Sequence, residues 1–116
     1  MFKIKQSKTF VWPVKVTVPI DGGKYTTSTF DVEFDRISQS EVEKLATSIQ
    51  NEEQTAIQIV KNIVIGWPYR SVTDGTDNIP FSDSALDELL DVPGVASAVI
   101  TAFLEAYNGQ AAKRKN

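Results

Sequence analysis

Apolar side chains fall on every second residue in two stretches near the start of the chain. In "FVWPVKVTV", residues 10–18, Phe10, Trp12, Val14, Val16 and Val18 share one face. In "STFDVEFDR", residues 28–36, Phe30, Val32 and Phe34 alternate with Asp31, Glu33 and Asp35. Between them "PIDGGKYT" carries the Asp-Gly-Gly favoured by hairpin loops. The pattern predicts an antiparallel pair with one face to be covered. Pro13 cannot donate to a ladder, which places its strand at an edge. A lone hairpin is marginal, so helices must supply the cover.

The period then changes. Ser38 with Glu41 forms a capping-box signature, and Val42, Leu45, Ala46 and Ile49 follow on one helical face. "QNEE" interrupts the pattern. A second helix is expected over about residues 52–65, presenting Ala56, Ile57, Val60 and Val64 with Ile59 and Ile63 beside them. Its β-branched end, "NIVIGW", is taken as helix, with a short strand as the alternative. Gly66 suits the left-handed position after a helix, and Pro68 prevents the helix from resuming. Residues 67–81 form a loop. Ser82 or Ser84 then caps a short helix with Leu86, Leu89 and Leu90. A last helix is expected to take Pro93 in its first turn and run to about Asn108, with Val95, Val99, Ala102, Phe103 and Ala106 inward. The expected architecture is α+β, with an N-terminal antiparallel hairpin packed on about four helices. One domain over residues 1–116 is expected, with flexible ends at about 1–8 and 110–116.

Composition narrows the chemistry more than the fold. The chain has no His and no Cys, which removes thiolates and the commonest metal ligand and general base. The formal net charge is −3, unevenly spread. Lys3, Lys5, Lys8, Lys15 and Lys24 open the chain, Lys113, Arg114 and Lys115 close it, and the middle is strongly acidic. That middle has the wrong sign for a nucleic-acid groove. No apolar run approaches the roughly 20 residues of a membrane span, and the start lacks the apolar core of a signal peptide. A cytoplasmic location is expected.

Three clusters invite a chemical reading. Asp74–Asn78, "DGTDN", offers oxygen ligands but lacks the spacing of a calcium loop, and an Asx turn accounts for it. Asp31, Glu33 and Asp35 lie on the solvent face of a strand, and Asp87, Glu88 and Asp91 on the outer face of a helix. "DGGK" joins two strands and lacks phosphate-loop spacing. No nucleophile–base pair emerges, so no catalytic residue, cofactor site or metal site is expected. Trp67-Pro68-Tyr69 stands apart. Trp67 folds back to seal the core, or the cluster is displayed as an aromatic anchor for a protein partner, or both hold with Trp67 structural and Tyr69 presented.

Taken together, "FVWPVKVTVPIDGG", "FDVEFDRISQSEVEKL" and the run from "IVIGWPYRSVTDGTDNIPFSDSALDELLDVPGVASAVITAFLEAYNGQAAKRKN" resemble the small tail assembly chaperones of long-tailed phages. The resemblance runs nearly end to end and rests on the order of the landmarks. It implies a binding module without chemistry of its own, working in the cytoplasm of a bacterial host. The implied partners are the tape-measure protein and the tail-tube protein, and association with further copies of itself is left open. The candidate binding residues are Trp67, Tyr69, Phe81, Asp87, Glu88, Asp91, Phe103 and Tyr107. A structural virion component, such as a tube, terminator or connector subunit, is the alternative.

Overall fold

A computed structural model describes residues 2–108. Two strands of twelve residues, β1 (Thr9–Ile20) and β2 (Lys24–Asp35), form the expected antiparallel hairpin. Its three-residue loop holds Gly22 and Gly23, both at positive φ (81° and 73°), a region that glycine enters without a Cβ clash. The alternation fixes which face is buried. Val14, Val16, Val32 and Phe34 are buried, and Phe10, Trp12, Val18 and Phe30 pack around them.

Helix α1 (Gln39–Gln50) starts from the capping box. The Ser38 hydroxyl accepts from the Glu41 N–H at 3.3 Å, and the Ser38 N–H donates to the Glu41 carboxylate at 3.2 Å. Only Val42 is fully buried on it; Leu45 and Ile49 sit at the margin of the core, and Ala46 faces solvent.

The stretch read as helix or strand is both in succession. Helix α2 (Ala56–Ile63) begins later than expected, because Thr55 and Gln58 make a second capping box with bonds of 2.9 and 3.2 Å. It ends at Ile63, and Val64–Gly66 form a third strand, β3, antiparallel to β2. The sheet order is therefore β1-β2-β3. Gly66 is consequently extended rather than left-handed, and a Cβ there would lie 3.5 Å from the Glu33 carboxylate. Ile59, Val60 and Ile63 carry the buried stripe of α2, while Ile57 is exposed.

Two more helices complete the domain. Ser82 caps α3 (Asp83–Leu90), its hydroxyl accepting from the Ala85 N–H at 3.0 Å. Helix α4 (Val95–Asn108) starts after Pro93, not around it, because Gly94 takes a φ of 87° that ends the preceding turn. Helix α4 runs against β1 and α2, so Val99, Ala102 and Phe103 supply the main cover of the sheet. Of the apolar faces of the two preceding helical stretches, Val60 and Val64 lie in the core, and Leu45 and Ile49 pack at its margin. The result is one α+β core: a sheet carrying helices on one face. The expected end at residues 110–116 lies outside the described residues.

Candidate protein-binding surface

Residues 67–81 are tied down at both ends by the core and by one another. Trp67 is 8% exposed, and its indole N–H donates to the Ile79 carbonyl at 2.8 Å. The Phe81 ring meets it edge-on at a centroid distance of 4.9 Å. Between these anchors the Ile79 N–H donates to the Val72 carbonyl at 2.9 Å, and Thr73 bridges to Asn78. Asp74 closes the tip. Its carboxylate accepts from the Asp77 N–H at 2.8 Å and the Thr76 N–H at 3.2 Å, which is the expected Asx turn. Those two backbone donors, Asp77 first, hold the Asp74 carboxyl below the usual carboxylate range.

The two rings of the aromatic cluster are placed differently. Trp67 seals the core, whereas Tyr69 is 78% exposed, with the Arg70 guanidinium 5.8 Å from its ring centroid. Arg70 itself has a φ of 64°, and its N–H is held by the Asn78 side-chain oxygen.

A groove of about 610 Å³ opens beside this loop, where α2 and β3 face α3. Val64, Ile65, Phe81 and Leu86 give it apolar walls; Lys61, Asp83 and Asp87 give it a charged rim. Lys61 and Asp87 span it with an ion pair of 2.7 Å. Both partners are about half exposed, so the pair is worth at most about 1 kcal/mol and opens readily to an incoming charge. Such a groove, apolar within and carrying both signs at its rim, fits the apolar stripe of an amphipathic helix.

Of the candidate residues, Phe81 and Asp87 line this groove and Trp67 supports it from below. Glu88 and Asp91 are exposed on and just after α3. Phe103 must be withdrawn as a surface residue. It is 0% exposed, because the inward stripe of α4 carries its ring to 5.1 Å from Phe34. Tyr107 joins the same interior cluster, 4.9 Å from Phe103 and 5.6 Å from Phe10. Its hydroxyl accepts from the Ile37 N–H at 2.7 Å, which pins the end of α4 to the segment before α1. Tyr107 thus lines a different hollow, with Phe10, Trp12 and Arg36.

Sequence reasoning missed Lys61, Val64, Ile65, Asp83 and Leu86 as groove residues. The usable signal was the short apolar run at the end of α2. Read as a strand, it buries Val64 and leaves Ile65 exposed beside the groove. Among the described residues no cluster of three or more His, Cys, Asp or Glu side chains is arranged to hold a metal ion. No family model, curated protein or solved structure matches the chain.

Proposed function

We propose that this protein is a tail assembly chaperone of a long-tailed phage or prophage. It binds the tape-measure protein in the host cytoplasm, assists polymerisation of tail-tube subunits around it, and does not remain in the virion. Two things support this reading: the ordered resemblance described above, and the apolar groove between β3 and α3. The second observation carries it physically. A holdase needs an apolar recess small enough to leave the protein soluble and open enough to release its client. The groove walls Val64, Ile65, Phe81 and Leu86 take an apolar helix stripe, and the rim charges of Lys61, Asp83 and Asp87 orient it. The work is binding, not catalysis.

Release matters as much as capture, since tube subunits must later displace the chaperone. A micromolar affinity, about −8 kcal/mol, satisfies both. The test is co-expression with the tape-measure protein from the same genome. The expected result is a soluble complex that co-elutes on size exclusion and is weakened by Ile65→Asp. Unchanged tape-measure solubility with no complex would refute the chaperone reading.

One observation favours a second reading. Beyond Val18 and Phe30 the hairpin carries no helical cover, and residues 19–29 are exposed throughout. A strand pair projecting in this way suits ring-to-ring contact in a tube or connector. Recovery of the protein in stoichiometric amounts from finished tails would establish that reading instead.

A further inference from the structure

The two outer edges of the sheet are chemically unlike. Arg36 donates its N–H to the Lys8 carbonyl at 2.9 Å, so even-numbered residues of β2 direct their backbone groups toward β1. Asp31 points the other way, and both its N–H and its carbonyl are taken by the Ser71 hydroxyl. Odd-numbered residues therefore face outward on both strands. On β1 these include Pro13 and Pro19, neither of which has an N–H to offer. That edge is blocked against pairing. On β2, Glu33 is paired with Gly66 and Asp31 with Ser71, which leaves Tyr25, Thr27 and Thr29 facing outward. No partner meets their backbone groups among the described residues. The segment is neutral, free of proline and rich in β-branched residues, so this edge is ready to accept a strand.

A groove of about 360 Å³ meets the Ser28–Phe30 end of that open edge on the helix side. Val18, Phe30, Val72, Leu89, Val92 and Val95 give it an apolar lining. A strand added to β2 would press alternate side chains into it.

The chain carries a segment of matching pattern. In "FKIK", residues 2–5, Phe2 is 75% and Ile4 96% exposed, and neither packs on the core. Lys3 and Lys5 alternate with them. Laid beside β2 with Phe2 and Ile4 in the groove, the segment turns both lysines to the opposite face, where Asp31 is the adjacent acidic side chain on β2.

We infer that Phe2–Lys5 of one copy of this chain adds as a strand to the β2 edge, residues 25–29, of a second copy. The chain's own segment cannot reach. Ser7 is fastened by Arg36, whose guanidinium N–H donates to the Ser7 carbonyl at 2.8 Å. The five residues before Ser7 extend about 17 Å. Thr29 lies opposite Lys15, eight residues along the hairpin from Ser7, or about 27 Å. The occupant is therefore another molecule, and two reciprocal donations would close a dimer.

The experiment measures molar mass by light scattering on size exclusion, in the high-micromolar range. The wild-type chain should run at twice its chain mass or more. Ile4→Asp, which spoils the donor, should run as a monomer, and so should Thr27→Pro, which spoils the acceptor. Val92→Asp provides a second acceptor variant at an exposed turn, should Thr27→Pro unfold by circular dichroism. Mixing Ile4→Asp with an acceptor variant should restore a one-to-one pair, since one intact donor then meets one intact acceptor. A monomeric wild type, an assembly that survives Ile4→Asp, or a mixture that stays monomeric overturns the inference.

Discussion

Replacing Phe34 by alanine should be among the most damaging single changes to this fold. The side chain is 0% exposed and sits near the end of β2, opposite Phe10 on one side and Val64 on the other. Its ring lies 5.1 Å from Phe103 and 5.7 Å from Phe10, centroid to centroid. Truncation of a buried Phe costs about 3–5 kcal/mol through lost transfer energy and the cavity left behind. The ring-to-ring contacts lie beyond simple area burial and place this site near the upper half, about 4 kcal/mol. A domain of this size has roughly 5–15 kcal/mol of total stability, so the variant should approach the edge of folding. The matching fall in melting temperature is about 15–20 °C. Urea denaturation followed by far-UV circular dichroism measures the loss, with an unchanged slope showing that the two-state transition persists. Phe34→Leu should cost much less, and Ile65→Ala, at an exposed position of β3, less than about 1 kcal/mol. A loss below about 1 kcal/mol for Phe34→Ala would mean that this face of the sheet is not the core, and the strand assignment with it would fall.

Trp67→Phe keeps the buried ring but removes the bond to the Ile79 carbonyl, and should cost about 1–2 kcal/mol in a urea titration. In a Trp12→Phe background, Trp67 should emit at short wavelength and resist iodide; ready quenching would contradict its burial. The Asp74 carboxyl, held low by the Asp77 and Thr76 N–H groups, has a folded-state pKa below its unfolded value. Its contribution to loop order is therefore fully present above the ordinary carboxylate range and lost only as pH falls through the lowered value. Side-chain carbon shifts titrated by NMR should show Asp74 protonating below the ordinary carboxylate range. Reversing Asp87, Glu88 and Asp91 to lysine should weaken capture of tape-measure fragments, most strongly at low salt, while melting shifts by only a few degrees. Equal losses in both would assign these carboxylates to stability rather than recognition.

Local pattern determined most of the secondary structure. The period-two stretches, the Asp-Gly-Gly turn and the Ser38–Glu41 box each depend on residues within a few positions of one another, and each appears as read. The box at Thr55 and Gln58 was equally local, though the apolar run starting near it drew the helix boundary too early. What only the tertiary structure decided depends on neighbours distant in sequence. Residues 64–66 could extend a helix or form a strand, and the open edge of β2 at Glu33 and Phe34 selects the strand by pairing its backbone. Helical spacing turns Phe103 inward, and the packing of α4 on β1, which buries its ring against Phe34, decides against its other reading as a partner contact. The groove between β3 and α3 has no signature in the sequence, because its two walls meet only after the strand has paired and the Trp67 loop has folded back. The bare segment Phe2–Lys5 and the open edge of β2 show the same division. Each is legible alone as a strand pattern, and only the hairpin geometry shows that one cannot reach the other within a single chain.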